Sequence, residues 1–469
     1  MNRRNFLFSA ALASSGAVLT FGGFARRAEA IAEAKNLAAF RAHGFGELLP
    51  TAAQNTSETY LALPKGFEYK VIGKVGGVMA DGRATPRAHD AMGIFQTGGD
   101  WRVIRNHEIN DQIPKSGAAI GTTHHYDEAA GGGTTTLVIN RKTREVERDF
   151  VSLSGTLNNC AGGITPWGTW ISCEETTLGP TKIKTKGGKE IGGYAKPHGY
   201  CFEVQASANS NLPPVPLRAM GRFVHEAVAV DRKTGIVYQT EDHNPAGFYR
   251  FIPKRHKRLA EGGTLQVLAV KDRPNFDTRK GQTVGANLET NWLTIDNPDP
   301  AEADTDSSAV FKQGAKNGAA IFARLEGCFP AKDGRVYFAS TSGGDVRGGQ
   351  IWLYRATTPE AGNLTLVFES PDRQILDMPD NICLHPKSDL IFLCEDSDYG
   401  LYGATPGNFL RILTANGKIA DFAKNITPGA ERSEFAGAVF SKDGVTLFVN
   451  VQTAGVTLAI WGDWKSFRA

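Results

Sequence analysis

Six short segments of this chain repeat one pattern, and that repetition limits the fold more than any other feature. They are His89–Glu108, Cys160–Glu175, His225–Asp242, Glu326–Ser342, Asp380–Asp396 and Glu434–Gln452. Each opens on a polar or acidic residue, runs through an apolar stretch to a turn, and returns through a β-branched and aromatic run. The returning runs read RVIRNHE, TWISCEE, IVYQTED, VYFASTS, LIFLCED and LFVNVQT. Four turns are explicit: Asp231–Gly235, Lys332–Gly334, His385–Asp389 and Ser441–Gly444. Such runs between turn residues are hairpins. Fifty-four positions separate Glu326 from Asp380, and the same number separates Asp380 from Glu434. That period is slightly above the roughly 40–50 residues of a propeller blade. The expected fold is all-β, a six-bladed β-propeller with inserted loops. A pair of β-sandwiches is the competing architecture, and the regular period disfavours it. Thr134–Asn140, Gln350–Tyr354 and Leu410–Leu413 are expected as outer strands. The polar stretches Lys182–Leu217 and Lys257–Val310 are expected as surface insertions.

A hairpin returns its last residue to the end where it began. Fifteen positions separate Cys160 from Glu175, Glu226 from Glu241 and Asp380 from Glu395. At about 3.3 Å per residue, that length goes out and back once. If these hairpins are the inner strands, their ends meet at one mouth of the channel. The converging residues are then Asn106, His107, Glu108, Cys160, Glu174, Glu175, His225, Glu226, Glu241, Asp242, Glu326, Asp380, Asn381, Glu395, Asp396 and Glu434. So much negative charge repels itself, and burial raises the cost. Hard cations with oxygen ligands would neutralise it. A thiolate adds one soft ligand, which suits a transition metal. The plainer reading, acidic turn caps spread around a solvated rim, suffices for one acidic pair but not for recurrence at matched positions. His107, His225 and His243 read as structural or orienting residues more readily than as ligands, and His124-His125 as a loop feature.

The chain begins with Arg3-Arg4-Asn5-Phe6-Leu7, continues through a weakly apolar stretch to about Phe24, and reaches the small-residue motif Ala28-Glu29-Ala30. This resembles a bacterial twin-arginine (Tat) signal, with an ordinary secretory signal as the alternative. The expected organisation is a signal over 1–30, a lead segment over 31–62 and the propeller domain over 63–469. Export by the Tat machinery to the periplasm or medium follows, with no stable membrane insertion after cleavage. The net charge of +3 is too small to argue for nucleic acid. The expected state is a monomer. Six cysteines could pair in an exported protein. The absence of a CxxC pair disfavours zinc. Cys173, Cys383 and Cys394 sit in apolar runs and read as core.

The strings RNHE (105–108), CAGGITPWGTWISCEE (160–175), HEAVAVD (225–231), ARLEGC (323–328), STSGG (340–344), DMPDNIC (377–383), CED (394–396), EFAGAVFSKDG (434–444) and LFVNVQTAGVTLAIWGDW (447–464) closely resemble the PhoX family of bacterial alkaline phosphatases. The resemblance runs from about Leu63 to Trp464. It implies a six-bladed propeller, Tat export, a cofactor of two irons and about three calciums, and hydrolysis of small-molecule phosphomonoesters. By motif it implies that Cys160 is the thiolate ligand of the iron pair and Glu175 a carboxylate ligand. It makes Glu226 and Glu326 metal ligands, Arg324 the phosphate-binding arginine, and Asp380 and Glu395 calcium ligands. Asn106, Glu108 and Glu434 are placed at the same site. Arg324, Glu326 and Cys160 form the expected catalytic set.

Hydrolysis of a phosphomonoester needs charge neutralisation and an in-line oxygen nucleophile, which clustered metals supply. Arg324 would add charge-assisted hydrogen bonds to the phosphate, so lysine there is not a conservative change. No GxSxG nucleophile elbow appears. Two other classes compete. A calcium-dependent lactonase uses one ion, which requires neither Cys160 nor so many carboxylates. A non-enzymatic periplasmic propeller gains nothing from a buried acidic ring.

Overall fold

All six expected hairpins form in the computed structural model, which describes residues 37–110, 117–121, 123–397 and 407–468. The expected export signal lies outside the described residues. Of the small unit Met1–Arg41, the described part is the 3-10 turn Leu37–Phe40 and Arg41. Everything that follows concerns Ala42–Ala469.

The first strands of the hairpins are His89–Thr97, Asn159–Ile164, His225–Val230, Leu325–Pro330, Pro379–Leu384 and Phe435–Phe440. Each pairs antiparallel with the strand after its turn. These first strands also lie against one another in chain order, and Phe435–Phe440 closes back on His89–Thr97. The sheets therefore radiate from a common axis in a propeller-like, all-β arrangement. The inner strands are almost wholly buried because both faces meet neighbouring sheets.

Hydrogen bonding does not divide the sheets into six equal blades. Two are four-stranded and one has three strands. The third and fourth hairpins share a nine-stranded sheet, because Asn287–Thr294 pairs with Gly263–Val270 on one side and Ala361–Glu369 on the other. The fifth hairpin belongs to a six-stranded sheet that also takes in Leu48–Thr51 and Leu61–Pro64 from the start of the chain. The body thus begins before residue 63. Phe67–Lys74 completes the last sheet by pairing with Val456–Gly462, so the two ends of the body are hydrogen-bonded together.

The outer strands expected from Thr134–Asn140, Gln350–Tyr354 and Leu410–Leu413 are third strands of their sheets. The two stretches read as surface insertions are not only that. Lys182–Leu217 contains the third strand Cys201–Gln205, and Lys257–Val310 contains Gly263–Val270 and Asn287–Thr294. Their polar composition reflects outer strands with one wetted face, where alternation replaces a continuous apolar run.

Candidate metal centre

Every one of the six hairpins carries the same irregularity. The register slips after the first paired residue in five of them and after the second, Ala436, in the sixth, so two residues on the inner strand oppose none directly. The first residues of these bulges are Asp90, Cys160, Glu226, Glu326, Asp380 and Gly437. A bulge re-aims a side chain that strict alternation would send elsewhere. Five of the six positions carry an acid or the thiol. Gly437 is an exception that the packing demands: it has φ of 66°, and a Cβ there would lie 2.7 Å from the Asp90 carbonyl. Gly327, the second bulge residue of the fourth hairpin, is equally constrained, with the Asp380 carbonyl 2.5 Å from where its Cβ would be.

A second motif precedes four of the six bulges. Ala88, Asn158, Arg324 and Met378, each two residues before a bulge, have φ of 50°, 51°, 46° and 48°. Left-handed backbone at non-glycine residues is uncommon and concentrates at functional sites. The carbonyls of Ala88, Asn158, Val224, Arg324, Met378 and Glu434 each accept from the amide of the residue that ends or follows the second strand. Those amides belong to Glu108, Glu175, Asp242, Thr341, Asp396 and Gln452. A second ring of Glu108, Glu175, Asp242 and Asp396 is thereby brought beside the bulge ring.

Four overlapping groups of ligand atoms lie within 4.8 Å of one another: Asp90, Glu108 and Cys160; Cys160, Glu175 and Glu226; Glu175, Asp242 and Glu326; and Glu226, Glu326 and Asp380. The structure therefore gathers Cys160, Glu175, Glu226, Glu326, Asp380 and Glu108. It adds Asp90, missing from the expected site, and Asp242, expected only among the converging residues. The clue to Asp90 was the recurring triple His89-Asp90-Ala91 and His225-Glu226-Ala227. Arg324 sits at the edge, with Nε and Nη2 on the two carboxylate oxygens of Asp242 at 2.9 and 3.0 Å. Its Nη2 also lies 2.8 Å from Glu326 Oε1. Its side chain is 37% exposed, against 6% for Glu326.

Two expected ligands are elsewhere. Glu395 accepts from Arg411 Nε at 2.8 Å and from the amides of Asp377 and Phe409 at 3.0 and 3.1 Å. It braces the sheet rather than the cluster. Its neighbour Asp396 faces the site instead, because adjacent strand residues point to opposite sides. Asn106 donates to the carbonyls of Cys160 and Ala161 at 3.0 and 2.8 Å and accepts from Trp170 Nε1 and Ser172 Oγ. It has no atom left for a cation, and it holds the Cys160 bulge in place. Glu434 reaches the site from outside the bulge ring: by its backbone bond it corresponds to Arg324, not to Glu326. Glu174 and Glu241 are likewise held by protein donors, Glu174 by His198 and three amides, Glu241 by Tyr249 and the Gly247 amide. His107 and His225 are bonded to backbone carbonyls and to Thr135 or Cys201, and His243 to the Pro245 carbonyl.

The donor set fits cations. Both carboxylate oxygens of Glu226 are buried without a hydrogen-bond partner, as is Oδ1 of Asn158. Burial, then neighbouring carboxylates, push Glu175, Glu226, Asp380 and Glu434 well above the ordinary carboxylate range. Glu326 is pushed up by burial and Asp242, although Arg324 opposes this. Burial, then Asp90 and Glu226, raise the Cys160 thiol. Such a cluster ionises fully only with positive charge supplied. Without cations, the folded chain holds more protons than the unfolded chain above a pH of about 4, where free carboxylates titrate. Its stability must then fall as pH rises. The chelated protein is expected to melt at a higher temperature at pH 5 than at pH 8, and metal at pH 8 to restore it. A chelated protein that melts higher at pH 8 would contradict this electrostatic picture. Glu395→Gln is expected to lose about 1–3 kcal/mol of stability through the buried Arg411 while keeping its metal. Metal loss in that variant would return Glu395 to the ligand set.

A radial β scaffold with buried carboxylates and a thiol gathered at the hairpin ends defines a metal-dependent protein. The chain belongs to the alkaline phosphatase PhoX family, a family of phosphomonoester hydrolases, whose model matches residues 45–455. Among solved structures it is similar to Pseudomonas fluorescens PhoX in complex with vanadate, a transition state analogue. The TM-score is 0.65 and the identity 19%, over 89% of this chain and 98% of that one. This likeness establishes the fold. A gluconolactonase from Xanthomonas campestris is more distant, with TM-score 0.42 and 9% identity over 89% of this chain and 99% of that one. No curated protein matches the chain in sequence.

Proposed function

We propose that the protein hydrolyses phosphomonoesters at a cluster of metal ions in the mouth of a six-bladed propeller, after Tat export to the periplasm or medium as a monomer. The observation that carries the reading is Glu226: a buried carboxylate that no N–H or O–H of the protein satisfies, with only the Cys160 thiol beside it, shared by two of the four ligand groups. The six-blade count is supported by the closed ring of inner strands, with Asn287–Thr294 as a bridge between two blades. The mature chain after residue 30 would comprise the lead segment and the propeller.

Cys160, Glu175, Glu226, Glu326, Asp380 and Glu108 would hold the ions, with Asp90 and Asp242. The oxygen-rich groups suit calcium. The Cys160 thiolate suits a softer ion such as iron, in keeping with the two irons and three calciums that the family resemblance implies. When bound, such ions neutralise the phosphate and lower the pKa of water. The chain's own residues do the rest. Asp242 grips the Arg324 fork through two hydrogen bonds and fixes its plane. The exposed edge of the guanidinium is then free to bind phosphoryl oxygens without reorganising. Glu326 contacts Arg324 and the ligand groups at once, and so ties the position of the phosphate to that of the ions. Asn106 and Trp170 keep the Cys160 bulge from relaxing.

The test is elemental analysis of natively exported protein, with a generic phosphomonoester assay on the same sample. Iron and calcium with phosphate release are expected. Calcium alone without phosphate release would point to a lactonase-type hydrolase, and a metal-free, inactive protein to a binding propeller.

A further inference from the structure

A second arginine is held beside Arg324 in the same way. Arg279 lies in the loop after Gly263–Val270. Its Nε and Nη2 donate to the two carboxylate oxygens of Asp277 at 2.9 and 2.7 Å, and its Nη1 donates to Asn244 Oδ1 at 2.9 Å. Arg324 makes the same fork-to-fork pair with Asp242. Asp242 and Asn244 are two residues apart in the chain, a span of at most about 7 Å. One short stretch of backbone thus holds both guanidinium groups. The strands below bring them together as well. Asp277 and Ile321 form a parallel bridge, and the Thr278 amide donates to the Ile321 carbonyl at 2.9 Å. Both segments run on in the same direction, one to Arg279 and the other to Arg324. The Gly344 amide bonds the Arg279 carbonyl, and the nearby Thr341 amide bonds the Arg324 carbonyl, each at 2.9 Å. A guanidinium has more N–H groups than these bonds use, so Arg279 keeps donors for a ligand. Its side chain is 35% exposed, close to the 37% of Arg324. A surface Arg–Asp pair adds little stability. What the double grip of Asp277 and Asn244 does fix is the plane of the guanidinium.

We propose that Arg279 is a specificity-determining residue that binds a carboxylate on the alcohol part of the phosphomonoester. The proposal rests on the phosphatase reading above, with Arg324 on the phosphoryl group. Two neighbouring, fixed forks fit the two ends of a short phosphorylated hydroxy acid. The phosphoryl group goes to Arg324 and the carboxylate to Arg279. A planar carboxylate matches the free edge of a guanidinium. Because Asp277 and Asn244 already hold that edge in place, binding orders no further side chain. Lys280, the next residue, is exposed and has no such grip. The carboxylate takes no part in P–O cleavage and is bound alike before and during it. Its contribution therefore appears in KM and not in kcat.

The test uses the metal-loaded full chain and two esters that differ by one carboxylate, phosphoserine and phosphoethanolamine. Both kcat and KM are measured for wild type, Arg279→Gln, Arg279→Lys and Lys280→Gln. Arg279→Gln is expected to raise KM for phosphoserine about 10-fold, to leave its kcat unchanged, and to leave both constants for phosphoethanolamine unchanged. Arg279→Lys keeps the charge without the fork and should fall between wild type and Arg279→Gln. Lys280→Gln removes the same charge one residue away and should change neither ester. Equal losses on both esters would make Arg279 a support for its loop and overturn the proposal. A wild-type preference retained in Arg279→Gln would also overturn it, as would the same shift in Lys280→Gln or a wild type that hydrolyses phosphoethanolamine but not phosphoserine. Hydrolysis of neither ester by the wild type would overturn the phosphatase reading, and this proposal with it.

Discussion

Replacing Cys160 by alanine is expected to abolish bound transition metal and phosphatase activity together, the latter by at least about 100-fold. That bound follows because loss of a residue that merely supports a metal ligand typically costs 10–100-fold. Cys160 is the thiol in two of the four ligand groups, and it bridges the Asp90–Glu108 side of the cluster to the Glu175–Glu226 side. Its thiol is held protonated by burial and by the carboxylates around it, so its affinity for a soft ion is what draws it into ionisation. The substitution removes one sulfur from a small buried site, and Asn106 still grips the backbone on both sides. The fold should therefore survive, and circular dichroism should stay unchanged. Metal analysis and a phosphate-release assay on one preparation give the answer. Iron at the wild-type level in the variant would rule Cys160 out as a ligand.

Glu326→Gln is expected to lower kcat/KM by about 100-fold or more, while Glu302→Gln leaves it unchanged. Glu326 contributes to two ligand groups and touches the Arg324 guanidinium. An amide keeps the volume but removes a charge and one of the oxygen donors, and it leaves Arg324 to Asp242 alone. Glu302 lies exposed in the 3-10 turn Ala301–Asp304, away from any ligand group. Both variants carry the same chemical change, so the comparison isolates position. Equal losses in the two would sink the idea that the hairpin ends form the reaction centre.

Much of this was legible before the structure. The hairpins, their turns and the gathering of acids at one end follow from period-two patterning and turn residues, which are local properties. What the sequence does not separate is two adjacent acids. Glu395-Asp396, Glu241-Asp242 and Glu174-Glu175 look alike as sequence, yet in each pair the first is gripped by protein donors, Glu241 through one oxygen only, and the second lies beside the cluster. Glu395, the member expected as a ligand, is the one that Arg411 and two amides hold. Asp90 was hidden behind His89, because the bulge shifts the inward-facing position by one. Glu434 seemed equivalent to Glu326, but the sixth hairpin places Gly437 in the bulge.

The chain's own order of residues determined that it would be all-β, that six hairpins would recur, and that carboxylates and Cys160 would collect at their open ends. Only the tertiary structure decided which of those groups lie within reach of one another. A single-residue bulge reverses alternation, and its presence depends on how neighbouring inner strands pack, as Gly327 does against Asp380 and Gly437 against Asp90. The outer strands within polar stretches, the grip of Asp242 on Arg324, and the hold of Asn244 on Arg279 also join residues far apart in sequence. Such contacts follow from how sheets pack around the axis, which no local pattern encodes.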